Sequence, residues 1–329
     1  MKNNKLSFNW FDNPDESLIL LKPTTSKQLL QKLKRNYITN INISKDFNDI
    51  GFIFQLRDSK PIRIKTLKKI LDSLKLNYKN FNKHIKAIGG SKFVYNINLP
   101  INLNKIESAI LIAAFMSDGN NQLKPLYANV GYLGDKVLNA VQSFIPNIPW
   151  AIYDKKLRFH TLLYRILLKL EVPEGNKTIL NPKIPKLIYK NKKYKKEYLT
   201  QVFDDEGHAA TKASRKIVLG RSVAINSLPN KFIKNLIYKK KIYFNSLPEN
   251  IKDVVNKQPP NLLSMEYKLL KEFKIKSSIR CRGVTKYLDW VSTDWVIEIA
   301  GKENMGKFNK LIGFSHPDKI KQMNLYLNN

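Results

Sequence analysis

Apolar positions recur at helical spacing over Ile62–Leu74, the pattern breaks at Lys75–Tyr78, and Phe81, Ile85 and Ile88 resume it before Gly89-Gly90 stops it. This pattern predicts two short helices joined by a tight turn. It fits a helix-turn-helix with Lys79, Lys83 and Lys86 on its second helix, and equally a helical hairpin with a solvated basic face. From residue 101 the pattern changes, and one programme runs twice. Each copy opens with an apolar helix ending in an acid and a glycine, first over Ile106–Gly119 and then over Tyr194–Gly207. Strand-like stretches follow, at Leu126–Leu133 and Trp150–Phe159 in the first copy. In the second they fall at Lys216–Ile225, Ile275–Arg282 and Trp295–Ile299. Between them the spacing predicts helices over Lys136–Phe144, Thr161–Leu170, Leu262–Phe273 and Glu303–Ile312. The offset of the two acids is 206 − 118 = 88 residues, too long for a solenoid, so the pattern reads as a duplicated α/β unit. The chain then divides into an N-terminal domain over 1–100, a first repeat over 101–195 and a second over 196–329.

Composition narrows the class. Of 329 residues 43% are hydrophobic, enough for real cores, so wholesale disorder is excluded. Cys281 is the single cysteine, which excludes a disulfide scaffold and an all-cysteine zinc site. The longest apolar run, Ala109–Met116, is far short of the roughly 20 residues a membrane span needs. The first residues lack an apolar signal core, and a soluble intracellular protein is expected. The net charge is 58 − 26 = +32. Richness in Lys, Asn, Ile and Tyr explains part of it as codon bias, but so large an excess also suits a polyanion, since Lys and Arg neutralise phosphates and release counterions. Tyr and Phe among the basic residues favour nucleic acid over a membrane. The lysine-rich run Ile184–Lys196 reads equally as a solvated linker or a phosphate contact.

The two helix ends carry the chemistry. They read Leu111-Ile-Ala-Ala-Phe-Met-Ser-Asp118-Gly119 and Leu199-Thr-Gln-Val-Phe-Asp-Asp-Glu206-Gly207. A carboxylate at a helix C-terminus opposes the macrodipole at a cost of about 0.3–1 kcal/mol. Two such acids in matching positions ask for a compensating cation. The last carbonyls of each helix are unsatisfied acceptors that can join them as oxygen ligands. If the two helices pack side by side, Asp118 and Glu206 meet, an arrangement able to hold hard cations for phosphodiester hydrolysis.

Here the sequence resembles the single-chain, two-motif, archaeal-type LAGLIDADG homing endonucleases. Beyond the two nonapeptides, Val172-Pro-Glu-Gly-Asn-Lys-Thr178 with Ile184-Pro185 is similar to the family's inter-repeat segment. Gly301-Lys-Glu-Asn304 with Leu311-Ile-Gly-Phe-Ser-His-Pro317 is similar to its C-terminal signature, and Ser91–Pro100 also resembles the approach to the first motif. The resemblance covers about 101–329. It implies an α+β fold of two pseudo-symmetric αββαββα repeats, a saddle over double-stranded DNA, preceded here by a small helical N-terminal domain. It implies Asp118 and Glu206 as catalytic, metal-binding residues, with the carbonyls of Ser117 and Asp205 as further ligands and Mg²⁺ or another divalent cation as cofactor. It further implies assisting lysines, for which Lys177 and Lys302 are the candidates. Ala113 suits the small residue favoured at the third motif position; Gln201 does not, and is expected at the edge of the helix interface or hydrogen-bonded across it.

The remaining residues read as structural. Asp204 is expected as a solvated neighbour, His208 as a partly exposed loop histidine, His160 and His316 as structural, and Cys281 as an inert strand residue. Basic residues of Lys155–Arg158, Lys212–Arg221 and Lys276–Arg282 would alternate faces, so half of each set could meet DNA. The resulting expectation is a monomeric, Mg²⁺-dependent, site-specific double-strand DNA endonuclease. The alternatives are an RNA maturase acting on intron RNA and a non-cleaving DNA-binding regulator of the same fold.

Overall fold

The computed structural model describes residues 6–36, 51–90, 92–117, 119–121, 128–130, 134–153, 156–211 and 214–328. The fold is mixed α+β, and the chain divides into two compact units. One comprises 1–108, 122–129 and 134–170; the other comprises 109–121, 130–133 and 171–329. No described helix is long and apolar enough to cross a membrane.

After the short strand Ser7–Phe8, which pairs with Ile101–Asn102, the first unit carries strand β1 (Leu18–Leu21), helices α1 (Pro23–Asn36) and α2 (Gly51–Arg57), strand β2 (Ile62–Arg63) and helix α3 (Ile64–Ser73). Strands β3 (Ile85–Gly89) and β4 (Phe93–Tyr95) complete an antiparallel sheet of order β2-β1-β3-β4. Helix α3 matches the sequence pattern: Ile64, Leu67, Ile70 and Leu71 are buried, while Lys65 and Lys69 are exposed. The second half of the expected helix-turn-helix is absent. Tyr78–His84 forms a 3-10 turn, and Ile85–Gly89 is an inner strand, with Ile88 paired to Ile19 on one side and Val94 on the other. Ile85 and Ile88 sit three apart as on a helix, but Ala87 and Gly89 are buried as well, as in a strand covered on both faces. Gly89 is required there, because a Cβ would lie 2.0 Å from the Lys92 carbonyl oxygen.

Helix α4 (Ile106–Met116) comes next; from Ala109 to Met116 it is buried and belongs to the second unit. It is followed by strand β5 (Ala128–Val130) and helix α5 (Gly134–Phe144). The expected single strand Trp150–Phe159 is a hairpin of β6 (Trp150–Tyr153) and β7 (Lys156–Phe159), with Trp150 opposite Phe159. Helix α6 (Thr161–Lys169) then starts at His160, whose Nδ1 accepts from the Leu162 N–H at 3.2 Å.

In the second unit, helix α7 (Lys192–Glu206) takes in the end of the lysine-rich run, Lys192–Lys196. Lys195 is held by Glu272 at 2.5 Å. From Tyr198 to Asp204 every residue of α7 is buried, so the helix is enclosed on all sides. Strands β8 (Gly207–His208), β9 (Lys216–Ala224), β10 (Lys241–Tyr243), β11 (Ser278–Lys286) and β12 (Val291–Ala300) form a sheet of order β8-β9-β12-β11-β10. Helices α8 (Glu249–Asn256) and α9 (Asn261–Glu272) lie between β10 and β11; α10 (Lys302–Leu311) and α11 (Pro317–Asn328) close the chain. Ile217, Leu219, Ile297 and Ile299 are buried on one face of this sheet. The other face carries Lys216, Arg280 and Glu298, joined by ion pairs of 2.6 and 2.7 Å.

Candidate functional site

The last turn of a helix leaves carbonyl oxygens without intrahelical donors, at the negative end of the macrodipole. At the end of α4 these oxygens meet an ammonium. Lys177 Nζ donates to the Phe115 carbonyl at 3.1 Å, to that of Gly119 at 2.6 Å and to that of Ser117. Lys177 opens the short helical turn Lys177–Leu180, whose first turn is capped by the Asn176 side chain on the Thr178 N–H. At the end of α7, Lys319 Nζ donates to the Phe203 carbonyl at 2.9 Å and to that of Asp204 at 2.5 Å. Phe115 and Phe203 are 203 − 115 = 88 residues apart, the same offset as the two motif acids.

Arg221 joins the two helix ends. Its Nη1 donates to Glu206 Oε1 at 2.6 Å and to the Met116 carbonyl at 3.2 Å; its Nη2 reaches Ser117 Oγ at 3.3 Å and Glu266 Oε1 at 2.8 Å. Glu266 is fully buried and also accepts from the Tyr198 hydroxyl at 3.1 Å. Burial alone would lower the Arg221 pKa, but the carboxylates of Glu206 and Glu266 outweigh it and keep the guanidinium charged. Burial, with Glu266 alongside, holds the Tyr198 phenol well above its ordinary value. Arg221 follows Leu219 and Ile217 by steps of two on β9, so it lies on the buried face of the sheet.

The sequence-predicted residues divide. Asp118 lies outside the described residues. Glu206, Ser117 and Lys177 converge on a cavity of about 420 Å³ that Arg221 and Arg282 also line. Asp205 accepts from Gln201 Nε2 at 2.9 Å through its side chain. Gln201, 2% exposed, therefore bonds along its own helix rather than across an interface. Lys302 is exposed at the first position of α10 and is not part of this cavity. Asp204 is not solvated: it is 3% exposed and accepts from the Ser315 N–H at 2.8 Å, the His316 N–H at 3.1 Å and the Ser315 hydroxyl. That carboxylate fixes the chain entering α11, and with it Lys319. His208 is an exposed strand residue in β8 rather than a loop residue. His316 Nδ1 accepts from the Asp318 N–H at 3.2 Å, and Cys281 is buried with its thiol pushed up to about 11 by desolvation.

Sequence reasoning missed Arg221, Glu266 and Lys319. Arg221 was read only as one of several alternating strand cations, and Glu266 only as part of a helix. Lys319 had a usable signal: it stands in the first turn after Ser-His-Pro, close behind the C-terminal signature.

The oxygens that converge here, a carboxylate, a hydroxyl and helix-terminal carbonyls, are the donor type a hard divalent cation takes. Glu206 and Ser117 fit that role by chemistry. Two side-chain cations already engage them, Arg221 on Glu206 and Lys177 on the Ser117 carbonyl. Among the described residues no three His, Cys, Asp or Glu side chains cluster as a metal site.

No protein-family model and no curated protein matches the chain. Among solved structures, the chain is similar to the N-terminal LAGLIDADG domain of DUF199/WhiA, with a TM-score of 0.31 and 9% identity, over 66% of this chain and 87% of that one.

Proposed function

We propose that the protein is a double-stranded DNA endonuclease of the LAGLIDADG type, acting as a monomer with two internal repeats. The observation that carries this reading is the convergence of Glu206, Ser117, Lys177 and Arg221 at the ends of both motif helices. Strand order supports the repeats. In each half the second strand after the motif helix adjoins the last strand, which adjoins the one before it: β5, β7, β6 in one and β9, β12, β11 in the other. Glu206 and Asp118, with the Ser117 carbonyl, would hold a divalent cation. When bound, that cation supplies charge neutralisation and an activated water for in-line attack on a phosphodiester. The chain's own part is electrostatic. Lys177 and Arg221 place two positive charges at the cavity, where phosphate charge would build up. Arg221 also fixes the Glu206 carboxylate through Oε1.

A second reading has its own observation. The Arg221–Glu206 pair and the Lys177 cap already satisfy, with protein cations, oxygens that a metal would otherwise take. That favours a DNA-binding protein that does not cut. Plasmid linearisation with Mg²⁺, on DNA carrying the native site, separates the two, with gel shift alongside. Under the first reading the wild type cuts, and Glu206→Gln and Asp118→Asn each abolish cutting while leaving binding nearly intact. Full cutting by either variant removes the assignment of that acid; a wild type that binds and never cuts selects the second reading.

A further inference from the structure

The two halves differ in one conspicuous respect. Between β5 and β6 run 149 − 131 + 1 = 19 residues, largely the helix α5. Between β9 and β11 run 277 − 225 + 1 = 53, in which α9 is preceded by an extra segment containing the turn-length helix Asn230–Lys234, strand β10 and α8. This segment adds β10 to the β11 edge of the sheet. Gly283 makes the close approach possible, since a Cβ there would lie 2.2 Å from the Ile242 carbonyl oxygen.

The inserted segment has a distinctive surface. Residues 231–243, Lys-Phe-Ile-Lys-Asn-Leu-Ile-Tyr-Lys-Lys-Lys-Ile-Tyr, hold five lysines and no acid. Lys241 is paired with Asp294 at 2.6 Å. Lys231, Lys234, Lys239 and Lys240 are exposed and form no ion pair among the described residues. Beside them stand Tyr238 and Tyr243, also exposed, and Leu288, 82% exposed at the tip of the β11–β12 hairpin. The arrangement is held in place rather than loose. The Lys240 N–H closes a turn on the Ile237 carbonyl at 3.2 Å, with Lys239 at φ 57°. The Lys239 N–H donates to the Lys286 carbonyl at 2.8 Å, and Lys286 Nζ returns to the Ile233 carbonyl at 3.2 Å. Across the hairpin tip Tyr287 stacks on Trp290 with centroids 5.4 Å apart.

We infer that this inserted lobe is a separate phosphate-gripping arm, which extends the contact with duplex DNA beyond the cavity on one side only. Lys231 and Lys234 on the turn-length helix and Lys239 and Lys240 on the turn after it, without an ion pair among the described residues, offer charges to phosphates, and exposed Tyr and Leu side chains suit sugar and base edges. Lys241, paired with Asp294, belongs to both the lobe and the cavity lining, so the lobe is continuous with the cavity wall that Arg282 also lines. That continuity favours nucleic acid over a lipid surface.

The inference rests on the DNA-binding part of the proposed function, and the test keeps the two apart. Binding of the full chain to a random-sequence duplex is measured across salt concentrations. The variants combine Lys231→Gln, Lys234→Gln, Lys239→Gln and Lys240→Gln, or the same four positions changed to Arg. The Gln variant should lower the slope of log affinity against log salt by about 2–4, as each lost phosphate contact removes about 0.9. The Arg variant should keep the wild-type slope. Equal slopes for wild type and Gln variant overturn the inference and leave the proposed function standing. So does an equal loss in the Arg variant, or a Gln variant that loses only binding to phosphatidylserine vesicles. A wild type that fails to bind the duplex overturns both.

Discussion

Asp204 stands two positions before the second motif acid, yet its carboxylate is turned into the protein. Three hydrogen bonds from Ser315 and His316 hold it, and it is 3% exposed. Its neighbours on the helix therefore do unlike things: Glu206 takes Arg221, Asp205 takes Gln201, and Asp204 ties down the start of α11. Hydrogen bonds to a buried charge are worth about 1.5–3 kcal/mol each, and an amide keeps only part of them. Asp204→Asn is expected to lower unfolding free energy by about 1–3 kcal/mol, read by urea denaturation. A solvated Asp204 would leave the midpoint unchanged. The acidic triplet was legible in the sequence, but not which acid points where. A helix advances 100° per residue, so adjacent acids face three directions, and only the surrounding elements decide which one meets solvent.

At the scale of elements, local periodicity predicted well where an element has one wet face. Helices α3, α9 and α10 lie within a few residues of the expected spans, because alternate burial of Leu, Ile and Phe against exposed Lys is visible without partners. It failed at β3, a strand buried on both faces whose Ile85 and Ile88 mimic helical spacing, and where an inserted edge strand as short as β10 carries no periodicity of its own. Caps link an element to its conditions. His160 Nδ1 accepts the α6 cap bond, so its proton sits on Nε2, which donates to the Lys92 carbonyl at 3.0 Å. Burial, with the Lys92 charge adding to it, lowers the ring's pKa from 6.5. A base whose folded pKa is depressed stabilises the fold fully above its unfolded value and loses that contribution as pH falls through it toward the folded pKa. The melting temperature of the wild type is thus expected to fall between about pH 7 and pH 5, and that of His160→Asn, which keeps a capping oxygen, to fall less. Parallel melting curves for the two proteins would show that His160 does not contribute.

For the whole molecule the charge of +32 sets the expectation. If the exposed lysines neutralise several phosphates, duplex affinity should drop about a thousandfold or more between about 50 and 200 mM salt. Titration of the wild type by fluorescence anisotropy checks this, and a flat response would exclude a polyanion partner. By itself the sequence determined the mixed α/β content, the apolar motif helices, the acid at the end of each and the excess of positive charge. All of these follow from residue type and short-range spacing. Only the tertiary structure decided what answers Glu206 and the helix-end carbonyls. The macrodipole favours a cation at each helix end, and the fold supplies Lys177, Lys319 and Arg221 from positions 62, 116 and 15 residues away from Phe115, Phe203 and Glu206. Charge demand is local and can be read along the chain. The group that meets it is chosen by which distant residues the sheet and the closing helices bring within about 3 Å, and no spacing in the sequence encodes that distance.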